Sequence, residues 1–494
     1  MSDEDVTPET IWADDLFGRR AEAELLIAYL ESVADRPSIR EDSHGYTIAV
    51  DGRYGEGKTF FLKRLARHLS LDHPVAFVDA WSDDLADEPL TALAATLKKA
   101  LDPLIQQSSD VRSKFDDVVA KSGKIAKIVG SGLLKKGVGL LITTAAAEAA
   151  ADVISDMGEE VQDVAKEALK SSGSDAVEGA VKAYQSVAPG KLMDDRISDF
   201  EEGQKALREM KESLAALVNA LEEASVSRPI FIIIDELDRC RPTYAVKLLE
   251  EIKHLFDVAG IVFILGLHGD QLAHSISAAY GTGFDSKSYL RRFFNRQYRL
   301  AEPDLEPFIT KLCEDAGIMN ARFRLSVMIF PLESPVNPTL PQFIARYVTA
   351  YGLSARNAFE VIDILQTCSA LVRTVELYLV YLLPLIIGHI KGLPSGQIPK
   401  MDSSTRWRLY YPRDHFGREG DEYAFNDAAK QFEQALELDF EQLSVEMNRD
   451  QRNPAINAVW QTSAQQPEAM HSVRNYPKLL TMVSRFSNPQ IQGQ

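Results

Sequence analysis

The sequence predicts an α/β fold with a mostly parallel, doubly wound sheet, a large helical insertion and a helical C-terminal lid. Residues 230–234 (IFIII) and 261–267 (IVFILGL) are apolar at every position, which is typical of central parallel strands that are covered on both faces. Between them, apolar residues recur at helical spacing over Tyr244–Phe256, so we expect a crossover helix. A third observation, a glycine-rich loop between a strand and a helix, lies nearer the start of the chain.

The first half of the sheet is predicted upstream of residue 100. Residues 46–50 (YTIAV) form a short apolar strand, which the glycine-rich loop and then an amphipathic helix follow. Residues 75–78 (VAFV) predict a second buried strand, and Leu90–Leu101 a helix after a proline. Trp81, just past the second strand, is expected to pack in the core beneath the insertion.

The insertion is predicted over residues 101–225. Ala, Lys, Asp and Glu dominate this segment, and it shows no strand pattern. We expect its last helix to dock on the sheet through one apolar stripe. That stripe consists of Leu207, Met210, Leu214, Leu217 and Leu221.

Two apolar stretches fall short of the roughly 20 residues that a membrane-spanning helix needs. Gly137–Ala147 soon meets Glu148, and Leu377–Ile390 is interrupted by Pro384. Both are predicted to be buried helices, and we expect no membrane attachment.

The composition indicates a soluble, folded protein. Acidic residues outnumber basic ones by 72 to 54, and the formal net charge of −18 disfavours a protein that coats nucleic acid or an anionic membrane, although a local basic patch is allowed. Cys240, Cys313 and Cys368 form no CxxC pair, so neither a disulfide framework nor a zinc knuckle is expected. Residues 1–20 lack the apolar core of a signal peptide, and we expect a cytoplasmic location.

Residues 52–59 (GRYGEGKT) match the pattern GxxxxGK[ST], and they lie between a strand and a helix, where a phosphate-binding loop belongs. Glycines let backbone N–H groups turn toward phosphate oxygens, and the helix N-terminus adds positive potential. Lys58 is expected to reach the β- and γ-phosphates, and the Thr59 hydroxyl to ligate Mg²⁺. The motif therefore predicts a P-loop NTPase that uses ATP and Mg²⁺. Its predicted nucleotide-binding residues are Gly52, Gly55, Glu56, Gly57, Lys58, Thr59 and Phe60.

A second candidate motif is the apolar strand that ends in Asp235 and Glu236. The carboxyl end of a central parallel strand is where open α/β sheets bind ligands. Asp235 is therefore the Walker B candidate that holds Mg²⁺. Glu236 is the first candidate for polarising the attacking water, and Asp238 is its competitor.

Taken together, these segments resemble the KAP family of P-loop NTPases. The resemblance rests on IAVDGRYGEGKTFFLKRL, on VDAW at 78–81, on IFIIIDELDRCRP with the helix and strand that follow, and on YLRRFF at 289–294. It covers about residues 15–100 and 226–365. It implies an additional-strand P-loop fold related to AAA+ and STAND ATPases. Family members often carry transmembrane helices in the interval of the insertion, where this chain shows no complete span.

The resemblance implies roles for three further residues. His268 stands where the family has an aspartate that follows a strand; it is a candidate γ-phosphate sensor, or it merely caps the next helix. Arg292 is a candidate for neutralising transition-state charge, and the neighbouring arginines compete with it: Arg291, Arg296 and Arg299. Arg356 stands where the lid carries a Pro-Arg pair, although an alanine replaces the proline here. In related ATPases a segment such as Asp15–Arg19 wraps the adenine; its alternative is a plain loop.

We divide the chain into five parts. Residues 1–100 and 226–300 form the two halves of the NTPase core, separated by the insertion at 101–225. Residues 301–395 form the helical lid, and residues 396–494 an accessory region.

The predicted function is an ATPase that acts as a conformational switch, with ATP and Mg²⁺ bound between sheet and lid. The resemblance implies a bacterial anti-phage defence or exclusion system with a protein effector encoded nearby. We also expect self-association. Two alternatives remain open, a nucleotide-gated scaffold with little hydrolysis and a DNA-associated AAA+-like motor.

Overall fold

A computed structural model describes residues 6–34, 45–86, 89–130, 189–255, 258–281, 283–331, 333–372, 376–412, 420–449, 453–465, 476–483 and 485. The predicted apolar helix at Gly137–Ala147 lies outside these residues. The chain forms two compact units. Unit one comprises Met1–Ala13, Glu22–Gly52 and Thr59–Leu300, and unit two comprises Asp14–Ala21, Arg53–Lys58 and Ala301–Gln494.

Unit one is built on a five-stranded parallel sheet with the strand order β2-β3-β4-β1-β5. The fold class and the four apolar strands predicted from the sequence are confirmed. Strand β4 lies between β1, which precedes the glycine-rich loop, and β3, which ends in Asp235. The strands are β1 Tyr46–Asp51, β2 Val75–Asp79, β3 Ile230–Asp235, β4 Ile261–Leu267 and β5 Arg296–Arg299.

The sheet is buried on both faces because β3 and β4 are apolar at successive positions. Alternate residues of β3 enter different hydrophobic clusters: Ile232 packs on one face and Ile233 on the other. In β4, Phe263 and Ile264 divide in the same way. This arrangement explains why apolar and polar residues do not alternate along these strands.

Strand β5 is a strand that sequence patterning missed. It reads RQYR, has no fully buried residue and pairs with β1 alone. An edge strand with exposed charged side chains gives no apolar signal, so only tertiary pairing reveals it.

Helices of unit one cover both faces of the sheet. The predicted docking of the last insertion helix is confirmed, because Met210, Leu214 and Leu217 are buried in the cluster that also contains Ile232. The helices are α1 Pro8–Ile11, α2 Arg19–Ala34 (which begins in unit two), α3 Lys58–Leu69 (whose first residue is in unit two), α4 Ala80–Asp83, α5 Pro89–Gln107, α6 Ser109–Gly130, α7 Pro189–Glu223, α8 Pro242–Leu255, α9 Gly269–Tyr280 and α10 Ser286–Leu290.

Trp81 is not a core residue. Its side chain lies on α4 and is 54% exposed, so the expectation that it packs beneath the insertion is wrong. Asp79, the last residue of β2, accepts a hydrogen bond from the backbone N–H of Ser82 at 3.1 Å and caps α4, so Trp81 lies on a helix directly after the strand.

Unit two is mostly helical and carries its own hydrophobic cluster. Residues of the predicted lid and of the predicted accessory region share that cluster, for example Ile344 and Phe432. Its helices are α11 Leu305–Asp315, α12 Leu340–Ala350, α13 Ala355–Leu371, α14 Leu379–Ile390, α15 Phe425–Glu437, α16 Phe440–Arg449, α17 Pro454–Gln465 and α18 Tyr476–Val483. The five-part division of the chain stays a prediction.

Short strands accompany these helices. They are β6 Phe323–Arg324, β7 Met328–Ile329, β8 Leu377–Tyr378, β9 Arg408–Pro412 and β10 Gly420–Tyr423. The predicted buried helix at Leu377–Ile390 is confirmed as α14, whose residues from Leu379 to Gly388 are all buried. Within the described ranges, no helix has both the length and the apolar content for crossing a membrane.

Candidate functional site

The glycine-rich loop joins β1 to α3 and contains two residues in the left-handed region of backbone space. Gly55 and Gly57 both have φ of +82°, a conformation that L side chains rarely adopt. Gly52 has an ordinary φ, and its N–H donates to the carbonyl of Leu267 at 3.3 Å. The glycines at 55 and 57 therefore meet a backbone requirement of the loop.

Gly55 also meets a packing requirement. A Cβ atom at this position would lie 2.8 Å from Ser354 Oγ and 3.3 Å from Arg356 Cβ. Ser354 caps α13, and its Oγ accepts from the backbone N–H of Asn357 at 3.4 Å. The structure thus brings Arg356, at the start of α13, next to the loop.

Glu56 braces the loop from inside. Its Oε2 accepts a hydrogen bond from the backbone N–H of Arg53 at 2.7 Å. Its carbonyl accepts from Arg19 Nη2 at 2.9 Å, while Arg19 Nη1 donates to the carbonyl of Ala301 at 2.8 Å. Arg19 is 0% exposed.

The position of Arg19 has a consequence for loop geometry. In a trans peptide the C=O and the following N–H point in opposite directions. A guanidinium on the Glu56 carbonyl therefore turns the Gly57 N–H to the other side of the loop backbone. Sequence reasoning missed this role of Arg19, because nothing in one sequence marks an arginine as buried.

The segment before Arg19 also reaches the loop. Phe17 lies 3.7 Å from the position of a Cβ on Gly57, and its ring centroid is 4.9 Å from that of Phe308. Asp15 accepts from the backbone N–H groups of Phe17 and Arg20 at 3.2 and 2.8 Å. Asp15–Arg19 is thus an ordered turn beside the loop.

Lys58 begins α3 and is 8% exposed. Its Nζ lies 5.9 Å from the ring centroid of Tyr54. Thr59 and Phe60 follow in the first turn, and the ring of Phe60 is covered by the Arg64 guanidinium at 3.6 Å. The helix N-terminus and the Lys58 cation both favour an anion here.

Asp235 is the last residue of β3 and is 1% exposed. Its Oδ1 accepts from the backbone N–H of Glu236 at 2.9 Å, and it stands opposite Asp79 in the β2–β3 register. Asp238 is also buried, in the 3-10 turn Leu237–Arg239. These carboxylates lie at the carboxyl edge of the sheet, as the sequence predicted.

Glu236 has an unusual backbone. Its φ of 61° and ψ of 26° place it in the left-handed region, which costs a non-glycine residue roughly 1–2 kcal/mol. Its side chain is 15% exposed and lies 2.9 Å from Arg239 Nη1. Burial raises the pKa of the Glu236 carboxyl, while the Arg239 charge lowers it. Such strain is typical of functional positions.

His268 caps α9. Its Nδ1 accepts a hydrogen bond from the backbone N–H of Gln271 at 3.2 Å, so the capping alternative describes its position. Because Nδ1 accepts this bond, the proton of the neutral ring lies on Nε2. The sensor role stays a prediction.

Asp51, which sequence reasoning overlooked, joins the elements around the end of β1. Its carboxylate accepts from the backbone N–H of Gly269 at 2.8 Å and from Gln297 Nε2 at 2.9 Å. It therefore joins the start of α9, which follows β4, to the edge strand β5.

The candidate arginines lie near the β5 edge. Arg291 and Arg292 follow α10, and Arg296 and Arg299 belong to β5; all four are exposed. Because the four share this exposure, the structure does not single out Arg292 among them.

Comparisons with solved structures give low scores. The Aeropyrum pernix ORC2 protein, solved in ADPNP-ADP complexes, has 12% identity and a TM-score of 0.30, with 96% of this chain and 88% of that chain covered. C. elegans PCH-2 has 10% identity and a TM-score of 0.28, with 73% of this chain and 65% of that chain covered. Scores this low carry no inference about function. No curated protein matches the sequence.

The family comparison is specific. Residues 19–315 match the KAP family P-loop domain, a span of more than half the chain that includes the glycine-rich loop, the strand ending in Asp235 and the insertion between them. The resemblance inferred from the motifs is confirmed. The chain therefore belongs to the KAP family of P-loop NTPases.

Proposed function

We propose that this protein hydrolyses ATP with Mg²⁺ and uses the cycle as a conformational switch. The observation that carries the proposal is the loop geometry: two left-handed glycines, a carbonyl fixed by Arg19 and the nearly buried Lys58 at the start of α3. Backbone N–H groups and an ammonium arranged in this way suit the phosphates of a nucleotide.

The donor set fits Mg²⁺. Thr59 supplies a hydroxyl and Asp235 a carboxylate, and hard oxygen ligands of this kind are what Mg²⁺ takes alongside phosphate and water. Among the described residues no cluster of three or more His, Cys, Asp or Glu forms a protein-only metal site. The ion, when bound, would neutralise charge on the phosphates.

Lys58 would bind the β- and γ-phosphates of ATP. Glu236 accepts a proton from the attacking water, whose oxygen bonds to the γ-phosphorus as the bond to the β-γ bridging oxygen breaks. The products are ADP, phosphate and a proton.

Adenine would lie against the Asp15–Arg19 turn. Phe17 offers an aromatic face there, supported by Phe308 and, 5.1 Å farther on, by Phe359. Aromatic stacking of this kind favours a planar base, and the adenine of ATP is such a base.

The switch is proposed to run through α13. Gly55 packs so closely against Ser354 and Arg356 that a Cβ would not fit between them. A change in the loop conformation on phosphate loss would therefore be transmitted to the start of this helix. The resemblance to KAP proteins adds phage exclusion and a protein effector to the proposal. Identification of the genes beside this one would test both proposals, because the effector is expected to be encoded there.

The proposal predicts Mg²⁺-dependent turnover. Purified protein should bind ATP in calorimetric titration and release phosphate, and EDTA should abolish release because Thr59 and Asp235 then lack their ion. A chain that binds ATP but shows no phosphate release would favour the nucleotide-gated scaffold instead.

We further propose that Arg292 acts on the nucleotide of a neighbouring copy. An arginine that reaches the γ-phosphate accelerates hydrolysis strongly in related chemistry. Its exposed place after α10 leaves it accessible to another molecule.

Subunit mixing tests this. Arg292→Ala should be inactive alone and partly rescued by Lys58→Ala subunits, which retain the arginine, and specific activity should rise with protein concentration. Arg291→Ala, at the adjacent exposed position, is the matched control. Constant activity on dilution, with a monomer in light scattering at every ATP concentration, would contradict assembly.

A further inference from the structure

The surroundings of Glu236 contain a cation and an aromatic ring that the proposed function has not used. Arg239 Nη1 lies 2.9 Å from Glu236 Oε1, at the other end of the short 3-10 turn. The same guanidinium lies 5.6 Å from the ring centroid of Trp81. Glu236, Arg239 and Trp81 therefore form a continuous row from the sheet edge to the surface.

Both ends of this row are fixed by the backbone. Asp79 caps α4 and stands opposite Asp235 in the β2–β3 register, so Trp81 begins beside the strand end that leads to Glu236. Arg241 then joins the two segments, because its backbone N–H and its Nε donate to the Asp84 carboxylate at 2.9 and 3.0 Å.

We propose that Arg239 is a positioning residue that holds Glu236 in place for hydrolysis, and that the half-exposed Trp81 in turn holds Arg239. The inference rests on the proposed function, since it assigns a support to the water-polarising carboxylate.

Geometry explains why a support is needed. The left-handed backbone of Glu236 is followed by a one-turn helix, which is too short to fix a long side chain by packing. A carboxylate pinned at one oxygen by a planar guanidinium keeps its direction. A guanidinium that packs against an indole ring keeps its orientation while it stays partly exposed to solvent.

Charge gives a second reason. The carboxylates near Glu236 are Asp79 on β2, Asp235 on β3 and Asp238 in the 3-10 turn, and all three raise its pKa, as burial does; Arg239 lowers it. The Cys240 thiol is a further titratable neighbour, and burial raises its pKa to about 12. Arg239 is the cation that faces these carboxylates beside Glu236.

The test compares kcat, KM and ATP affinity in full-length variants. Arg239→Met should lower kcat roughly 10-fold and leave KM for ATP unchanged, while Arg239→Lys recovers part of kcat. Trp81→Ala should lower kcat by about 3-fold, and Trp81→Phe should recover it. Leu85→Ala, at a 93% exposed position on the same segment, is the matched control and should hydrolyse normally.

ATP affinity and the unfolding midpoint should stay unchanged in all these variants, because neither residue belongs to the phosphate loop. A wild-type kcat in Arg239→Met would overturn the inference alone. Equal losses of ATP affinity in Arg239→Met and Arg239→Lys would also overturn it, because the ion pair between Arg239 and Glu236 would then have only a structural role. Absence of turnover in the wild-type chain would instead contradict the proposed function, and this inference with it.

Discussion

Lys58→Ala should lose nucleotide binding, with ATP affinity reduced at least about 100-fold. Lys58 is nearly buried at the start of α3, and hydrogen bonds from a cation to a charged acceptor are worth about 1.5–3 kcal/mol each. No other residue of the loop 52–59 ends in an ammonium. Calorimetric titration with ATP and Mg²⁺ measures the effect.

Lys63→Ala provides the control for this variant. Lys63 lies on the same helix but is exposed, so its removal changes the net charge equally without changing the loop. ATP affinity in Lys63→Ala should match the wild type. Unchanged affinity in Lys58→Ala would sink the assignment of the loop as the phosphate site.

Glu236→Gln should keep ATP binding and slow hydrolysis by roughly 10²-fold or more, as loss of a general base does. The amide preserves the size of the side chain but cannot take the proton. Single-turnover phosphate release separates this chemical step from product release.

Asp238→Asn should have a smaller effect on the same measurement. Asp238 is buried within the 3-10 turn, whereas Glu236 retains 15% exposure and so can meet a water molecule. The reverse ranking of the two rates would make Asp238 the base and Glu236 a structural residue.

The sequence predicted the parts of this molecule whose signal is local and apolar. Strands β3 and β4 could be predicted because burial on both faces requires an unbroken run of apolar residues, which is easily seen in the sequence. The loop 52–59 could also be predicted, because glycines and a lysine at this spacing are typical of a phosphate-binding loop.

Residues whose environment depends on distant contacts were harder to predict. The exposure of Trp81 depends on which face of α4 meets the rest of the protein, and β5 is a strand because it pairs with β1. The left-handed backbone of Glu236 is also hidden, because glutamate is not a residue that suggests positive φ. Each of these features is a property of packing rather than of composition.

The buried guanidinium of Arg19 has a consequence for synthesis of the chain. Its two carbonyl partners, at Glu56 and Ala301, lie 37 and 282 residues away in sequence, and a buried cation that lacks an acceptor is strongly unfavourable. While the ribosome is still translating the sheet, one acceptor does not yet exist. The hydrogen bond from Arg19 to Ala301 therefore forms only after residue 301 has been synthesised, so the loop of a shorter nascent chain lacks this support.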